Sequence, residues 1–120
     1  MSVKVYGYDK CGTCRNATKW LKANSIAYEH IEVFQAPPSV EELEKLVLNS
    51  GLTVRHFFNV SGQVYKEMKL KDNIMQMSEQ EQLMLLSSNG RLIKRPIVTD
   101  GTQVTLGFTE SGFASVWKQV

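Results

Sequence analysis

Two cysteines three residues apart, Cys11 and Cys14, are the feature that most limits what this chain can fold into. They follow an apolar, β-branched run from Val3 to Tyr8 and lead into a stretch from Arg15 to Ala23 with helical periodicity. The pair therefore lies at a predicted strand-to-helix junction, where free amides and the positive end of the helix dipole stabilise a thiolate. Cys11 is the candidate nucleophile, because such a position lowers the pKa of a thiol.

A structural disulfide and half of a zinc site are the alternatives to redox chemistry for this pair. The N-terminal residues do not resemble a signal peptide, so we expect a cytoplasmic protein, in which static disulfides are rare. The only histidines, His30 and His56, are not spaced from the cysteines as in common zinc modules. A CxxC motif beside a βαβ pattern favours a redox pair, with no metal and no bound cofactor.

The length and charge of the chain limit its number of domains and its classes of partner. The chain has 120 residues, of which 42% are hydrophobic, and this predicts a single domain over residues 1–120 and a monomer. A formal net charge of +2 is too small to favour nucleic acid or an anionic membrane as a partner. No apolar run approaches the about 20 residues of a membrane span. Direct nucleic-acid binding and membrane insertion are therefore not expected.

The remaining strand and helix signals are ordered along the chain. Alternation from Ala27 to Val33 predicts a strand near a sheet edge and completes a βαβ unit. Helical signals then fill about 39–90, and Asp100-Gly101 between two apolar runs predicts a hairpin. Thr109 opens a last helix. The order β-α-β, helices, β-β-α predicts an α/β fold, a thioredoxin/glutaredoxin-like mixed sheet with a helical insertion between its two halves.

Capping signals divide the insertion into helices. Ser39 opens the first and Gly51 closes it, and Ser78 with Glu81 forms a capping box for the last. Two shorter helices are predicted between them, one after Thr53 and one over residues 64–70. The methionines of this part are predicted to fill gaps in the helical layer; they are Met68, Met75, Met77 and Met84.

Three segments together resemble the arsenate reductase (ArsC) family, which includes the Spx-type transcription regulators. They are YDKCGTCRNA at residues 8–17, PPS with Glu41, Glu42 and Leu43 after it, and LIKRPIV at residues 92–98. The resemblance spans essentially the whole chain, and its CxxCR and RPI motifs are specific in combination. It implies the same thioredoxin-type fold and thiol redox chemistry.

The resemblance also implies roles for single residues. Cys11 matches the family's nucleophile, and Arg95 matches the arginine of the RPI motif. Pro96 resembles the cis-proline that faces the active cysteine in thioredoxin folds. Cysteine at the second motif position is typical of the Spx-like branch, which implies a reversible disulfide between Cys11 and Cys14.

These residues predict a thiol-disulfide oxidoreductase. Cys11 attacks and Cys14 resolves, while Gly12, Thr13 and Arg15 at the helix start support the thiolate. The partner would be a thiol or disulfide substrate or a redox protein. An external thiol reductant, such as glutathione, thioredoxin or a similar low-molecular-weight thiol, would restore the dithiol.

Two alternatives remain open within the family. Arsenate reductases use two further arginines around the oxyanion, and this chain has Asn59 at one of those positions and Leu106-Gly107 at the other. A redox-sensing regulator of the Spx type would bind the C-terminal domain of the RNA polymerase α subunit. The glycine that such regulators use at that interface aligns near Gly51 or Thr53.

Overall fold

The computed structural model describes residues 2–118. Its strands are β1 (Ser2–Gly7), β2 (Ala27–Glu32), β3 (Ile97–Thr99) and β4 (Val104–Leu106). Its helices are α1 (Gly12–Ala23), α2 (Val40–Ser50), α3 (Gln63–Glu67), α4 (Leu70–Asn73), α5 (Glu79–Ser88) and α6 (Glu110–Trp117), with 3₁₀ turns at Val54–Phe57, Ile74–Gln76 and Gly90–Leu92. The chain forms two compact units. The sheet unit comprises the described residues up to Glu32 and from Arg95 onward, and the helical unit comprises residues 33–94.

The sheet unit is built on four strands in the order β2-β1-β3-β4. β1 runs parallel to β2 with Val5 opposite His30, and antiparallel to β3 with Val5 opposite Val98. The turn between β3 and β4 is held by the Asp100 carboxylate, which accepts hydrogen bonds from the backbone of Thr102 and Gln103 at 2.9 and 2.8 Å. The predicted mixed sheet, its hairpin and the edge position of β2 are confirmed.

Two helices pack on one face of this sheet and bury the core of the unit. Val3 and Val5 from β1 and Leu21 from α1 lie in one buried cluster with Phe113 and Trp117 from α6. Burial of such side chains is the main stabilising contribution to a small fold. The Trp117 indole remains hydrogen-bonded, because its Nε1 donates to the Thr105 hydroxyl at 3.0 Å. The sheet unit thus holds β1 and α1 firmly on either side of the cysteine motif.

The long helices of the helical unit are capped by the residues that the sequence predicted. Ser39 Oγ accepts the Glu42 amide at 3.2 Å at the start of α2, and Gly51 ends that helix with φ 73°. Ser78 and Glu81 form the predicted capping box of α5. The predicted insertion at about 39–90 falls within this unit, while the union of both units in one domain stays a prediction.

Two details of the helical unit differ from the sequence-based expectation. The helix predicted over residues 64–70 ends at Glu67, because Lys69 takes a left-handed conformation with φ 54° and separates α3 from α4. The predicted packing role is wrong for three methionines. Met68, Met75 and Met84 are 44%, 68% and 57% exposed. Met84 faces solvent because Leu83 and Leu86 occupy the buried side of α5.

Among residues 2–118, no helix combines the length and apolar character that crossing a bilayer requires.

Candidate functional site

Cys11 occupies the N-cap of α1, directly after β1 and its following loop. Its backbone is extended, with φ −87° and ψ 121°, and its Sγ accepts a hydrogen bond from the Cys14 amide at 3.4 Å. The Cys11 amide donates to the Tyr8 carbonyl at 3.1 Å, and the Arg15 amide donates to the Cys11 carbonyl at 3.0 Å. The sulfur therefore takes the place that a serine or aspartate oxygen has in an ordinary N-cap. The first turn carries no acidic side chain, so no carboxylate within that turn offsets the positive end of the helix dipole.

The surroundings of Cys11 favour its thiolate. Burial alone raises the pKa of this thiol, but hydrogen bonds from the Cys14 side chain and amide, and the hydrogen bond and charge of Arg95, act against it. The balance leaves the pKa of Cys11 below its ordinary value. The residue is also half-buried rather than enclosed, so a substrate sulfur has access to it.

Cys14 has the opposite properties, although it lies one turn away on the same helix. It is 2% exposed, and both cysteines are free thiols. Burial raises the pKa of Cys14 to about 12, with a further rise from the hydrogen bond to Cys11 and from its charge. The motif therefore combines an accessible thiol that ionises readily with a buried thiol that keeps its proton.

Arg95 and Pro96 precede β3 and belong to the same unit as the cysteines. The Arg95 side chain hydrogen-bonds to Cys11, which brings the predicted residues Cys11, Cys14 and Arg95 together. The Arg95–Pro96 peptide bond is cis, as the resemblance implied, and Pro96 is buried. The catalytic role assigned to Pro96 stays a prediction.

The predicted supporting residues Gly12, Thr13 and Arg15 form the first turn of α1 with Cys14. All three are exposed, and the Arg15 side chain lines a cavity next to Cys14. Their support of the thiolate stays a prediction. Within the described part of the chain, no three His, Cys, Asp or Glu side chains are grouped as a metal ion would require.

Sequence reasoning missed two residues beside Cys14, namely Gly7 and His30. A Cβ atom on Gly7 would lie 3.0 Å from Cys14 Sγ and 3.4 Å from His30 Nε2. The missing side chain of Gly7 is thus what allows the Cys14 thiol to pack against β1. His30 itself is exposed, but it lines the same cavity as Cys14. A glycine at the end of a strand, four residues before the motif, was the available signal, since glycine often marks a close approach.

The two other arginine positions that the resemblance raised carry no guanidinium. Asn59 lies in the helical unit, where its amide donates to the Leu92 carbonyl at 2.7 Å. Leu106 ends β4, and Gly107 follows with φ 72°. In the sheet unit, Arg95 is the arginine whose hydrogen bond and charge act on Cys11.

Comparison with known proteins agrees with this geometry. The ArsC family profile matches residues 6–116. The uncharacterized protein YusI of Bacillus subtilis is 50% identical over 117 residues, which cover 98% of this chain and 99% of YusI. The regulatory protein MgsR of the same species is 30% identical over 103 residues, covering 86% of this chain and 80% of MgsR. The crystal structure of an ArsC family related protein from Bacteroides fragilis has a TM-score of 0.91 at 42% identity and covers 96% and 97% of the two chains.

The mixed sheet with a cysteine pair at its first βα junction defines a thioredoxin-like fold with a CxxC motif. Within that class, the chain belongs to the ArsC family. Its other matches include Spx global transcriptional regulators and an arsenate reductase. Because the family includes proteins with different functions, the function of this chain must be inferred from the residues of its site.

Proposed function

We propose that the protein is a cytoplasmic, monomeric thiol-disulfide oxidoreductase that cycles a Cys11–Cys14 disulfide. The observation that carries the proposal is the contrast between the two thiols. Cys11 caps α1 with its sulfur hydrogen-bonded by Cys14 and Arg95, whereas Cys14 is buried behind it. A dithiol enzyme needs this division, because one sulfur must attack first and the other must wait for the mixed disulfide.

The first step consumes the Cys11 thiolate. It attacks one sulfur of a substrate disulfide, the substrate S–S bond breaks, and one substrate half leaves as a thiolate. Arg95 and the α1 amides stabilise the attacking charge before the bond forms. The product is a mixed disulfide between Cys11 and the other half of the substrate.

The second step consumes Cys14. Its thiol loses a proton and attacks the Cys11 sulfur, the second substrate half leaves, and the Cys11–Cys14 bond forms. Two electrons have then passed from the dithiol to the substrate. Two molecules of glutathione or of a similar small thiol, or one molecule of the dithiol thioredoxin, return two electrons by the reverse exchange and leave as a disulfide.

Arsenate is a poorer substrate for this site than a disulfide. Each charge-assisted hydrogen bond to an oxyanion contributes roughly 1.5 to 3 kcal/mol. With Asn59 and Leu106 at two of the three arginine positions of the resemblance, oxyanion binding is weaker by more than about a hundredfold. We therefore place disulfide exchange ahead of arsenate reduction.

Mass spectrometry and a turnover assay together test the proposal. Mild peroxide is expected to link Cys11 to Cys14, and the protein with glutathione is expected to reduce a small dialkyl disulfide. Cys14→Ser should accumulate the mixed disulfide on Cys11, while Cys11→Ser should be inactive. Two unlinked cysteines after oxidation, or turnover of arsenate at a rate above that of the disulfide, would contradict the proposal.

A redox-sensing regulator of the Spx type is the second candidate, and a surface of the helical unit favours it. Leu48 and Leu52 are 80% and 43% exposed on either side of Gly51. They border an open groove of about 920 Å³ between α2 and α5. Capture of the polymerase α C-terminal domain by the reduced or the oxidised protein, lost in Leu48→Glu, would support this function. Absence of capture in both redox states would exclude it.

A further inference from the structure

His30 and the buried thiol of Cys14 both lie close to the bare backbone of Gly7. The register of β1 and β2 places His30 opposite Val5, two residues before Gly7. His30 shares its sheet face with Tyr28, which packs against the core beneath α1. The site of a Cβ on Gly7 is 3.0 Å from Cys14 Sγ and 3.4 Å from His30 Nε2. Any larger residue at this position would separate the two atoms.

Cys14 and His30 also line the same small, open cavity. Its volume is about 160 Å³, which is enough for water. Cys14 and His30 both line it, so a water molecule there would give the proton a path from the thiol to the imidazole.

The attack of Cys14 on the mixed disulfide at Cys11 requires a proton acceptor near Cys14. A thiol attacks a disulfide only as its thiolate. Burial, the largest cause, raises the pKa of Cys14 to about 12, so the ionised fraction near neutral pH is on the order of 10⁻⁵. Formation of the mixed disulfide removes the charge on Cys11 but leaves the burial in place. Cys11 has no such need, because its own pKa is lowered.

We propose that His30 is the general base that accepts the Cys14 proton when Cys14 attacks the mixed disulfide on Cys11. This role rests on the proposed dithiol cycle. The Cys14 S–H bond breaks and the proton moves to His30 Nε2. The Cys14 sulfur bonds to the Cys11 sulfur, and the bond from Cys11 to the substrate sulfur breaks. The departing substrate thiolate then takes the proton from the imidazolium, so the base is restored.

The side chain of His30 is of the type that can act as a general base. Imidazole is the side chain that exchanges a proton near neutral pH. The titratable groups that line the cavity with His30 are Cys14 and Arg15 on α1, Tyr8 and Asp9 on the loop after β1, and Tyr28 on β2. Glu32 lies on the same face of β2.

Stopped-flow reaction with an aromatic disulfide that releases a coloured thiolate separates the two steps. The first equivalent of colour reports the attack by Cys11, and the second reports the resolution by Cys14. We expect His30→Gln to leave the first phase unchanged and to slow the second about a hundredfold near neutral pH, which is the lower end of general-base effects. His56→Gln is the matched control, because His56 is also exposed but lies in the helical unit. It should match the unmodified protein in both phases.

The pH profile distinguishes a base from a structural residue. With His30 present, the rate of the second phase should rise less steeply with pH, because the imidazole as well as the solvent removes the proton. In His30→Gln it should keep rising about tenfold per pH unit, because only the thiolate fraction limits it. Equal second phases in His30→Gln and the unmodified protein at every pH would overturn the role of His30 alone. Absence of a second phase in the unmodified protein, or its persistence in Cys14→Ser, would overturn the dithiol cycle and the role of His30 with it.

Discussion

Removal of the Cys14 thiol should abolish a specific loss of stability at alkaline pH. The pKa of Cys14 is about 12 in the folded protein, against an ordinary value of 9.0. Because the folded value is the higher one, the folded state holds a proton that the unfolded chain releases above pH 9.0. The stabilising contribution is therefore complete below about pH 9 and is lost as the pH rises toward about 12.

The size of this loss follows from the two pKa values. Between about pH 8.5 and 10.5, the unfolded thiol becomes almost fully ionised while the folded thiol stays protonated. The free energy of unfolding should then fall by about 2 kcal/mol, because each pH unit above the unfolded pKa costs about 1.4 kcal/mol. Lysines and tyrosines that titrate in the same range contribute equally to the unmodified protein and to a single-residue variant.

Urea unfolding at the two pH values, with a reductant present, measures the effect. Cys14→Ala is expected to be less stable at both pH values through lost packing, but its loss between them should be smaller by about 2 kcal/mol. Cys11→Ala should keep most of the pH dependence, because burial is the largest cause of the raised pKa. An equal pH dependence in Cys14→Ala and the unmodified protein would refute the assignment of a buried, protonated thiol.

Two further substitutions test the supports of the site and of the sheet unit. Arg95→Gln removes a charge that lowers the pKa of Cys11, so the midpoint of the pH profile for Cys11 alkylation should move to higher pH. An unchanged midpoint would show that the hydrogen bonds at the start of α1 lower this pKa without Arg95. Trp117→Phe removes the hydrogen bond to Thr105 and part of a fully buried ring, and thermal unfolding should show a loss of about 1 to 3 kcal/mol. A loss below about 0.5 kcal/mol would mean that the core repacks around the smaller ring.

Local signals in the sequence predicted much of the fold. The Ser78–Glu81 capping box, the Gly51 cap and the turn at Asp100 each depend on a few adjacent residues, so the chemistry that forms them is visible in the sequence. The break at Lys69 was not predictable in this way, because lysine rarely takes a positive φ and nothing adjacent signals it. The exposure of Met84 likewise depends on which face of α5 is covered.

The candidate site was predicted in part for the same reason. The cysteine motif and its helix terminus are consecutive in sequence, whereas the approach of Arg95 to Cys11 crosses from the last third of the chain and was inferred only through the resemblance. That His30 and Cys14 line one cavity beside Gly7 depends on the register of β1 against β2 and on the absence of a side chain on Gly7. Register is a long-range property, which alternation within one strand does not determine.

The direction in which each sulfur points decides the chemistry of the motif more than the helix dipole does. Cys11 and Cys14 share the positive end of α1, so the dipole alone would lower both pKa values. Cys14 instead points back toward β1, where Gly7 lets it become buried, and its pKa rises. A lowered pKa at Cys11 stabilises the reduced pair relative to the disulfide. The oxidised pair should therefore accept electrons from small thiols, which is the regeneration step of the proposed cycle.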